Sequence, residues 1–517
     1  MTTSTVYSES LLVIDVDDDI TRTILFDVVG GLYRFVSAGT STTTLLRPSA
    51  DIGEGIFSAI EQLQSLTGRS LLGPDDNLII PSQEDGSGVD KLAITFSAGP
   101  LLRVVAVGLI EDVSLESACN LVSSTYTEII EKISLSDQLK QEARIDAIIR
   151  ARPEVIVIAG GTEGGAWQSV LNLLETVGLA CFLYPGQRPE VLYVGNQALL
   201  EECKSLLDPH VSLHQASNVR PTLEREHISP AQESLAAIYR TVSLQRITGL
   251  QELDHLAEGQ LVPTATGFGR VIAFLSNVYN GSKGVLGIDV GVSTATTATA
   301  FKGDMVLNVY PWMKKTNGVR DLMNHVGMWE IMRWLPMEIG EDRTRDYLYN
   351  KSIFPSGIAV TDEEMAIELA LTRQIIRNAI LEAIPGMPAG IKVEYGEQLP
   401  WFEPIVVSGK MLSKLPTYAH VFLILLDALQ PSGVTTFVLD QNNLTASLGA
   451  SAAINPLMVV QVIESNAFVN LGSVISPIAD VRRGTPVLRV HMTTETGEEV
   501  SVDVKQGDLE ILPLPRG

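Results

Sequence analysis

The chain has 517 residues, 45% of them hydrophobic, with 61 acidic against 37 basic side chains and a formal charge of −24 at pH 7. That is enough apolar material for two to four domains with real cores, while the charge disfavours nucleic acid and anionic membrane surfaces, which call for an excess of Lys and Arg. Met1-Thr2-Thr3-Ser4-Thr5 has neither a basic nor an apolar segment, and Val421 to Leu426 is far too short to span a bilayer, so a cytoplasmic protein is expected.

The first elements predicted are strands. Leu11 to Val16, Thr23 to Val28 and Tyr33 to Val36 surround a Gly30-Gly31 turn in the pattern of a hairpin. Ile56, Ala59, Ile60 and Leu63 then recur at helical spacing, with a stop at Gly68. Leu92 to Phe96 reads as a strand running into Ser97-Ala98-Gly99-Pro100. Val155 to Ile158 reads as a short buried strand that leads through Ala159-Gly160-Gly161-Thr162-Glu163-Gly164-Gly165 to a helix over Ala166 to Leu174. Residues from about 200 to 262 are polar, punctuated by Pro221, Pro230 and Pro263, and read as an irregular bridge between two lobes. A helix through Val271, Ile272, Phe274 and Leu275 feeds a strand at Val285. Ile405 to Val407 closes on Ser408-Gly409-Lys410-Met411 before a helix over His420 to Leu429. From about residue 467, Val469 to Gly472, Pro486 to Val490 and Val500 to Val504 alternate with Gly and Asp turns, which predicts a small β-barrel or sandwich. The expected units are therefore 1–200, 201–262, 263–460 and 461–517.

Cys119, Cys181 and Cys203 are widely separated, form no CxxC pair, and read as buried free thiols. His210 and His214 stand four apart, but Pro209 and the alternation of Val211 with Leu213 favour a short strand over a metal site. Trp312, Trp329, Trp334 and Trp401 fit a partner surface or, with better reason, a helical core around Met328 to Leu335.

Two segments begin alike and then diverge. Leu11-Leu12-Val13-Ile14-Asp15 and Val285-Leu286-Gly287-Ile288-Asp289 are apolar strands closed by aspartate. After Asp289 come Val290-Gly291-Val292-Ser293-Thr294-Ala295-Thr296-Thr297, a glycine turn with hydroxyls that lets backbone N–H groups approach a phosphate. An ordinary half-buried strand is the other reading, since Ala295, Ala298 and Ala300 alternate there. After Asp15 come Val16-Asp17-Asp18-Asp19-Ile20-Thr21-Arg22. Two like charges about 4 Å apart cost about 4 kcal/mol at an effective dielectric of about 20, so this loop is expected to repel a polyphosphate unless metal ions neutralise it. Asp15, Asp17 and Asp19 also have the alternate-position spacing of a calcium loop, although Ile20 replaces the required glycine and Phe26 the bidentate glutamate. Asp-x-Asp after a strand matches the first motif of haloacid-dehalogenase phosphatases too, with Asp19 where Thr or Val is wanted. In the loop after Ile158, Gly160, Gly161, Thr162, Gly164 and Gly165 could cradle an anion at the start of the next helix or simply form a tight turn.

The aspartate turns at Asp15 and Asp289 and the glycine turn at Gly409 have the order and spacing of the nucleotide-facing elements of the actin, Hsp70 and sugar-kinase superfamily. Within it, Phe96-Ser97-Ala98-Gly99-Pro100-Leu101-Leu102-Arg103-Val104-Val105, the Ala159 to Gly165 loop and Val407-Ser408-Gly409-Lys410-Met411-Leu412-Ser413 resemble the glutamate mutase accessory protein family. That family is also called MutL and is unrelated to mismatch repair; the resemblance covers nearly the whole chain. It implies an α/β, two-lobed actin-like (ribonuclease H-like) ATPase fold with a small C-terminal all-β module. It also implies a reactivase-like chaperone for a protein partner, an adenosylcobalamin-dependent mutase. On this resemblance Asp15 and Asp289 would be the catalytic pair flanking Mg-bound phosphates, and Thr21, Arg22, Gly291, Val292, Ser293, Thr294 and Thr296 would line those phosphates. Ser408, Gly409 and Lys410 would lie at the adenosine. The chain departs from the family pattern at Asp17 to Arg22, where Gly-Ser-Thr-Thr-Thr-Lys is usual, and at Gly99-Pro100 and Gly409-Lys410, where Gly-Gly is usual. ATP and Mg are thus expected to bind weakly, with slow or absent hydrolysis, as in a paralogue with eroded ATPase parts. The alternatives are a non-catalytic scaffold or self-assembling protein on the same fold, and a hydantoinase-type ATP-dependent enzyme, for which the sequence shows no metal or substrate site.

Overall fold

The computed structural model describes residues 9–512 apart from 166, 187, 208–210, 280, 315–322, 324–326, 337, 389, 392–398, 494–496 and 498. Ala166 and His210, singled out above, lie outside the described residues.

Strands β1 (Leu11–Val16), β2 (Ile20–Val29) and β3 (Leu32–Thr42) form an antiparallel meander. Gly30 and Gly31 turn β2 into β3 at φ +62° and +83°, the left-handed pair that a two-residue hairpin turn requires. The expected helix follows as Gly53–Thr67, and β4 (Lys91–Phe96) lies parallel to β1.

The chain then leaves this sheet. Strands β5 (Leu102–Gly108), β6 (Thr127–Ser134), β7 (Val155–Ile158), β8 (Glu190–Tyr193) and β9 (Ser212–Gln215) make a separate, wholly parallel sheet in the order β6-β5-β7-β8-β9. Its central strands are continuous apolar runs because both faces are covered. Val104, Ala106, Val155 and Val157 pack with Leu121, Leu235 and Tyr239, whereas Val105, Val107, Ile156 and Ile158 pack with Ile148, Leu173 and Val177.

The segment read as an irregular bridge is largely helical. It contains the helices Leu200–Leu207, Ser229–Arg246 and Leu250–Leu256. Pro230 does not break structure there; it stands in the first turn of its helix, where a missing N–H costs nothing. Leu235, Ile238, Tyr239 and Val242 supply the buried face. β10 (Leu261–Pro263) then returns to the first sheet beside β4, completing the order β3-β2-β1-β4-β10.

The second lobe repeats that plan. β11 (Gly284–Val290), β12 (Ala295–Phe301) and β13 (Asp304–Tyr310) form a meander, and β14 (Phe402–Ser408) and β15 (Gly433–Asp440) run parallel to β11. The order β13-β12-β11-β14-β15 reproduces the first lobe strand for strand, which is the actin-like arrangement. Here the C-terminal expectation needs correction. β16 (Phe468–Ser476) pairs antiparallel with β15 and covers an edge that would otherwise be open. Among the described residues only β17 (Pro486–Thr493) and β18 (Glu499–Lys505) form the separate C-terminal unit, a two-stranded antiparallel sheet where a barrel or sandwich was expected.

Between the lobes the helices Thr264–Val278 and Thr445–Ser451 cross backbone to backbone. A Cβ on Gly449 would sit 1.8 Å from the carbonyl oxygen of Gly267, and one on Gly267 would sit 2.4 Å from that of Ala446. Around them a shared core joins Val13, Ile24 and Phe26 of one lobe to Val285, Ala298 and Val406 of the other. Among the described residues no helix is long and apolar enough to cross a membrane.

Cys181 and Cys203 are buried thiols and Cys119 a half-buried one, and none of them forms a disulfide among the described residues. His214 pairs with Glu190 at 2.7 Å from within β9. The tryptophans divide: Trp312 is buried, Trp334 packs on the second-lobe core, and Trp329 and Trp401 are exposed.

Candidate functional site

Asp15 and Asp289 occupy matching positions, each next to last in the first strand of its lobe. Asp15 stands opposite Arg22 of β2 and Thr95 of β4, and Asp289 opposite Thr296 of β12 and Ser408 of β14. Both line one small cavity between the lobes, together with Asp17, Gly291, Ser408 and Lys410. Of the other expected nucleotide residues, Arg22, Thr294 and Gly409 also line it. Thr21 is fully buried against Thr43, Val292 lines a neighbouring cavity, and Thr296 is buried in its sheet.

The acidic loop is not an open repelling surface, because cations from the second lobe neutralise it. Lys410 Nζ lies 2.9 Å from Asp17 Oδ2, and Lys314 Nζ lies 2.8 Å from Asp18 Oδ2. The Lys314 ammonium also donates to the carbonyls of Ser97 and Gly99. Asp18 further accepts from the Gly99 N–H at 2.9 Å and from Ser293 Oγ at 3.0 Å. The hydroxyl expected to serve a phosphate therefore serves a carboxylate of the chain itself. Asp15 accepts from Thr95 Oγ1 at 2.7 Å and has Arg22 Nη1 at 3.9 Å. The Arg22 guanidinium also donates to the carbonyls of Asn442 and Asn443, which ties β2 to the second lobe.

These surroundings set the ionisation of the cluster. Burial works against a charged Asp17, but Lys410 and Lys314 outweigh it and hold its carboxyl at about 2. Burial raises Asp15 and Asp18 in spite of their cationic neighbours. Asp289 is pushed up to about 7, first by burial and then by the charges of Asp17, Asp440 and Asp15. An Asp17 held so low is ionised at neutral pH, which removes the general acid that a dehalogenase-type phosphatase would need.

The metal reading of Asp15, Asp17 and Asp19 is not supported by the geometry. Asp15 and Asp17 are taken up by Thr95, Arg22 and Lys410, and Asp19 Oδ2 is buried with no partner among the described residues. Among the described residues no group of three or more His, Cys, Asp or Glu side chains is placed to hold a metal ion.

The cavity as it stands is small, and its glycine turns are already hydrogen-bonded. The cavity measures about 50 Å³, far below the roughly 300 to 1,000 Å³ of sites that take a drug-sized ligand. The Gly291 N–H donates to Thr294 O at 2.9 Å within its own turn. Gly409, at φ +105°, donates its N–H to Asn443 Oδ1 at 2.8 Å, and a Cβ there would meet the Val290 backbone at 2.3 Å. Thr264, which lines the cavity, has its Oγ1 buried without a partner among the described residues.

The Gly160–Gly165 loop belongs to the separate parallel sheet and does not join this cluster. Gly161 and Gly164 take φ +73° and +71°, and the Gly165 N–H donates to Thr162 O at 2.9 Å. Asn218 Nδ2 donates to Gly161 O at 3.0 Å and to Glu163 Oε1 at 2.8 Å. The loop is thus a tight turn that carries its own carboxylate.

Sequence reasoning missed Lys314, Asp440 and Asn443. Asp440 Oδ2 accepts from Thr445 N and Oγ1 and from Ser408 Oγ, leaving Oδ1 buried and unpartnered among the described residues. Its signal was present, since Phe437-Val438-Leu439-Asp440 is a third apolar strand closed by aspartate. Lys314 had no local signal.

The sequence model of the family described as MutL protein matches residues 11–467, and the chain belongs to that family, the glutamate mutase accessory family. No curated protein matches the chain. Among solved structures it is similar to a glycerol dehydratase reactivase, at 9% identity over 86% of this chain and 99% of that one, with a TM-score of 0.33. It is similar also to ligand-bound xylulose kinase from Lactobacillus acidophilus, at 13% identity over 91% and 94% of the two chains, with a TM-score of 0.32. A nucleotide-free acetone carboxylase is 13% identical over 86% of this chain and 70% of that one, with a TM-score of 0.32.

Proposed function

We propose that this member of the MutL protein family is a cytoplasmic accessory protein of the reactivase type, acting on a protein partner, with a cleft that binds ATP weakly and hydrolyses it slowly or not at all. The family supports the accessory role, and an adenosylcobalamin-dependent mutase is the partner it suggests.

One observation carries the reading of the cleft. Asp17 and Asp18 already hold the two lysines that a polyphosphate would need. An incoming triphosphate must break both pairs and then leave two buried carboxylates facing its own charge, so much of the attraction it gains is offset. Catalysis would in addition require Asp289 ionised beside three other aspartates, the condition its raised value resists.

Titrating ATP with magnesium into the full chain by calorimetry, with phosphate release followed in parallel, tests this. The expected dissociation constant is no tighter than about 1 µM, with release slow or undetectable. Robust turnover that Asp289→Asn abolishes would overturn the proposal.

A further inference from the structure

We propose a second ligand site, remote from the interlobe cleft, that takes a phosphorylated small molecule with a planar apolar part. It lies where the leading ends of β7 and β8 meet the C-terminal end of the helix Ser229–Arg246, in a cavity of about 460 Å³.

The cavity is cationic within a strongly acidic chain. Arg152, Arg188 and Arg246 line it, facing the carboxylates Glu154 and Glu190. Both carboxylates are already committed. Glu154 Oε1 lies 3.3 Å from Arg246 Nη1 while its Oε2 accepts from the Arg103 N–H at 3.0 Å, and Glu190 Oε2 lies 2.7 Å from His214 Nε2. Arg152 and Arg188 have no ion-pair partner among the described residues, although acidic side chains outnumber basic ones 61 to 37. Two unpaired guanidinium forks in one concave site match a phosphate better than any other common anion, because each can donate two parallel N–H bonds.

Backbone geometry singles out Arg152 as well. It ends the helix Gln141–Ala151 at φ +51°, the left-handed position that glycine usually fills, so this position keeps a long cationic side chain where the backbone prefers none.

The volume excludes a bare inorganic ion as the natural fit. About 460 Å³ falls within the 300 to 1,000 Å³ typical of small-molecule sites. Beyond the arginines the walls are Pro153, Pro185, Val242 and the half-buried Tyr184, an aromatic side chain of the kind on which a planar group stacks. A nucleoside monophosphate satisfies both halves, and it lacks the β- and γ-phosphates for which the interlobe cleft would be needed.

The probe is AMP without magnesium, titrated calorimetrically into the full chain at low and high salt, with inorganic phosphate as the comparison. AMP is expected to bind more tightly than phosphate, and salt to weaken it. Arg152→Ala with Arg188→Ala should reduce AMP affinity about tenfold or more, and Tyr184→Ala should weaken AMP while leaving phosphate unchanged. Both arginines are exposed, so an unchanged melting curve without ligand confirms the fold; if it shifts, Arg152→Gln with Arg188→Gln replaces the pair. No binding of AMP at millimolar concentration, equal binding by the double variant, or phosphate binding as tight as AMP would each overturn the proposal.

Discussion

Asp17 and Lys410 come from different lobes and lie 2.9 Å apart, each largely out of water. Removing one partner strands the other charge, so Lys410→Met should destabilise the protein by about 3–5 kcal/mol, and adding Asp17→Asn should restore most of it. Denaturant midpoints of the three variants measure this; equal midpoints for wild type and Lys410→Met would show that the pair contributes nothing. The same residues fix two opposite responses to pH. The folded value of Asp17, about 2, lies below its ordinary 3.8, so the stability it contributes is complete above about pH 4 and is lost as pH falls towards 2. Asp289 runs the other way. Its folded value of about 7 lies above 3.8, so the native state holds an extra proton between those values and stability declines as pH rises from about 4 to about 7. Asp289→Asn should flatten that decline in urea melts across the range, and an unchanged slope would assign it to another group.

At the scale of elements, the crossing of Thr264–Val278 with Thr445–Ser451 is the tightest constraint. A methyl on Gly449 would fall 1.8 Å from the Gly267 carbonyl, which no rotamer can relieve. Gly449→Ala should therefore cost about 1–3 kcal/mol or more as the helices separate, whereas Gly164→Ala, where an added Cβ meets nothing within 4 Å among the described residues, should cost about 1 kcal/mol from its left-handed backbone alone. Thermal melts of the two variants rank them, and a milder effect at Gly449 would contradict the close crossing. The crossing was not legible in the sequence, since Gly267 and Gly449 are far apart and neither sits in a turn. What was legible is local. The Gly30-Gly31 hairpin, the helix ending at Gly68, and the strands ending at Asp15, Phe96, Ile158 and Ser408 follow from period and punctuation within a few residues. The separate sheet β5 to β9 was not visible as such, because its strands resemble those of the lobes and only their pairing sets them apart. The helix Ser229–Arg246 was hidden by reading Pro230 as an interruption when it marks a start. Within the cleft, the aspartates and the hydroxyl loop were readable, but their cations were not: Lys410 read as a departure from a glycine turn, and its role depends on a partner 393 residues away.

For the molecule as a whole, the contacts that fill the cleft are also contacts that hold the lobes together. Lys410 to Asp17, Lys314 and Ser293 to Asp18, and Arg22 to the Asn442 and Asn443 carbonyls all run from one lobe to the other. Closure without nucleotide and the weak nucleotide binding proposed above would thus be two consequences of one charge network. Converting the loop carboxylates to amides separates them. Asp17→Asn with Asp18→Asn keeps the shape but frees Lys410 and Lys314, so both ammonium groups become available to a phosphate and two opposing negative charges are lost. Affinity for Mg-ATP should then rise about tenfold or more, equivalent to about 1.4 kcal/mol, while scattering should show a larger radius of gyration in the absence of nucleotide. Lys314→Met with Lys410→Met should loosen the lobes in the same way but leave ATP binding no better than in the wild type, because the phosphate then meets only aspartates. Measured side by side, the two double variants share one expected change in shape and differ in the expected change in affinity. If both bind ATP alike, charge does not close the cleft to nucleotide, and the backbone contacts at Gly409 and Gly291 are what keep it shut.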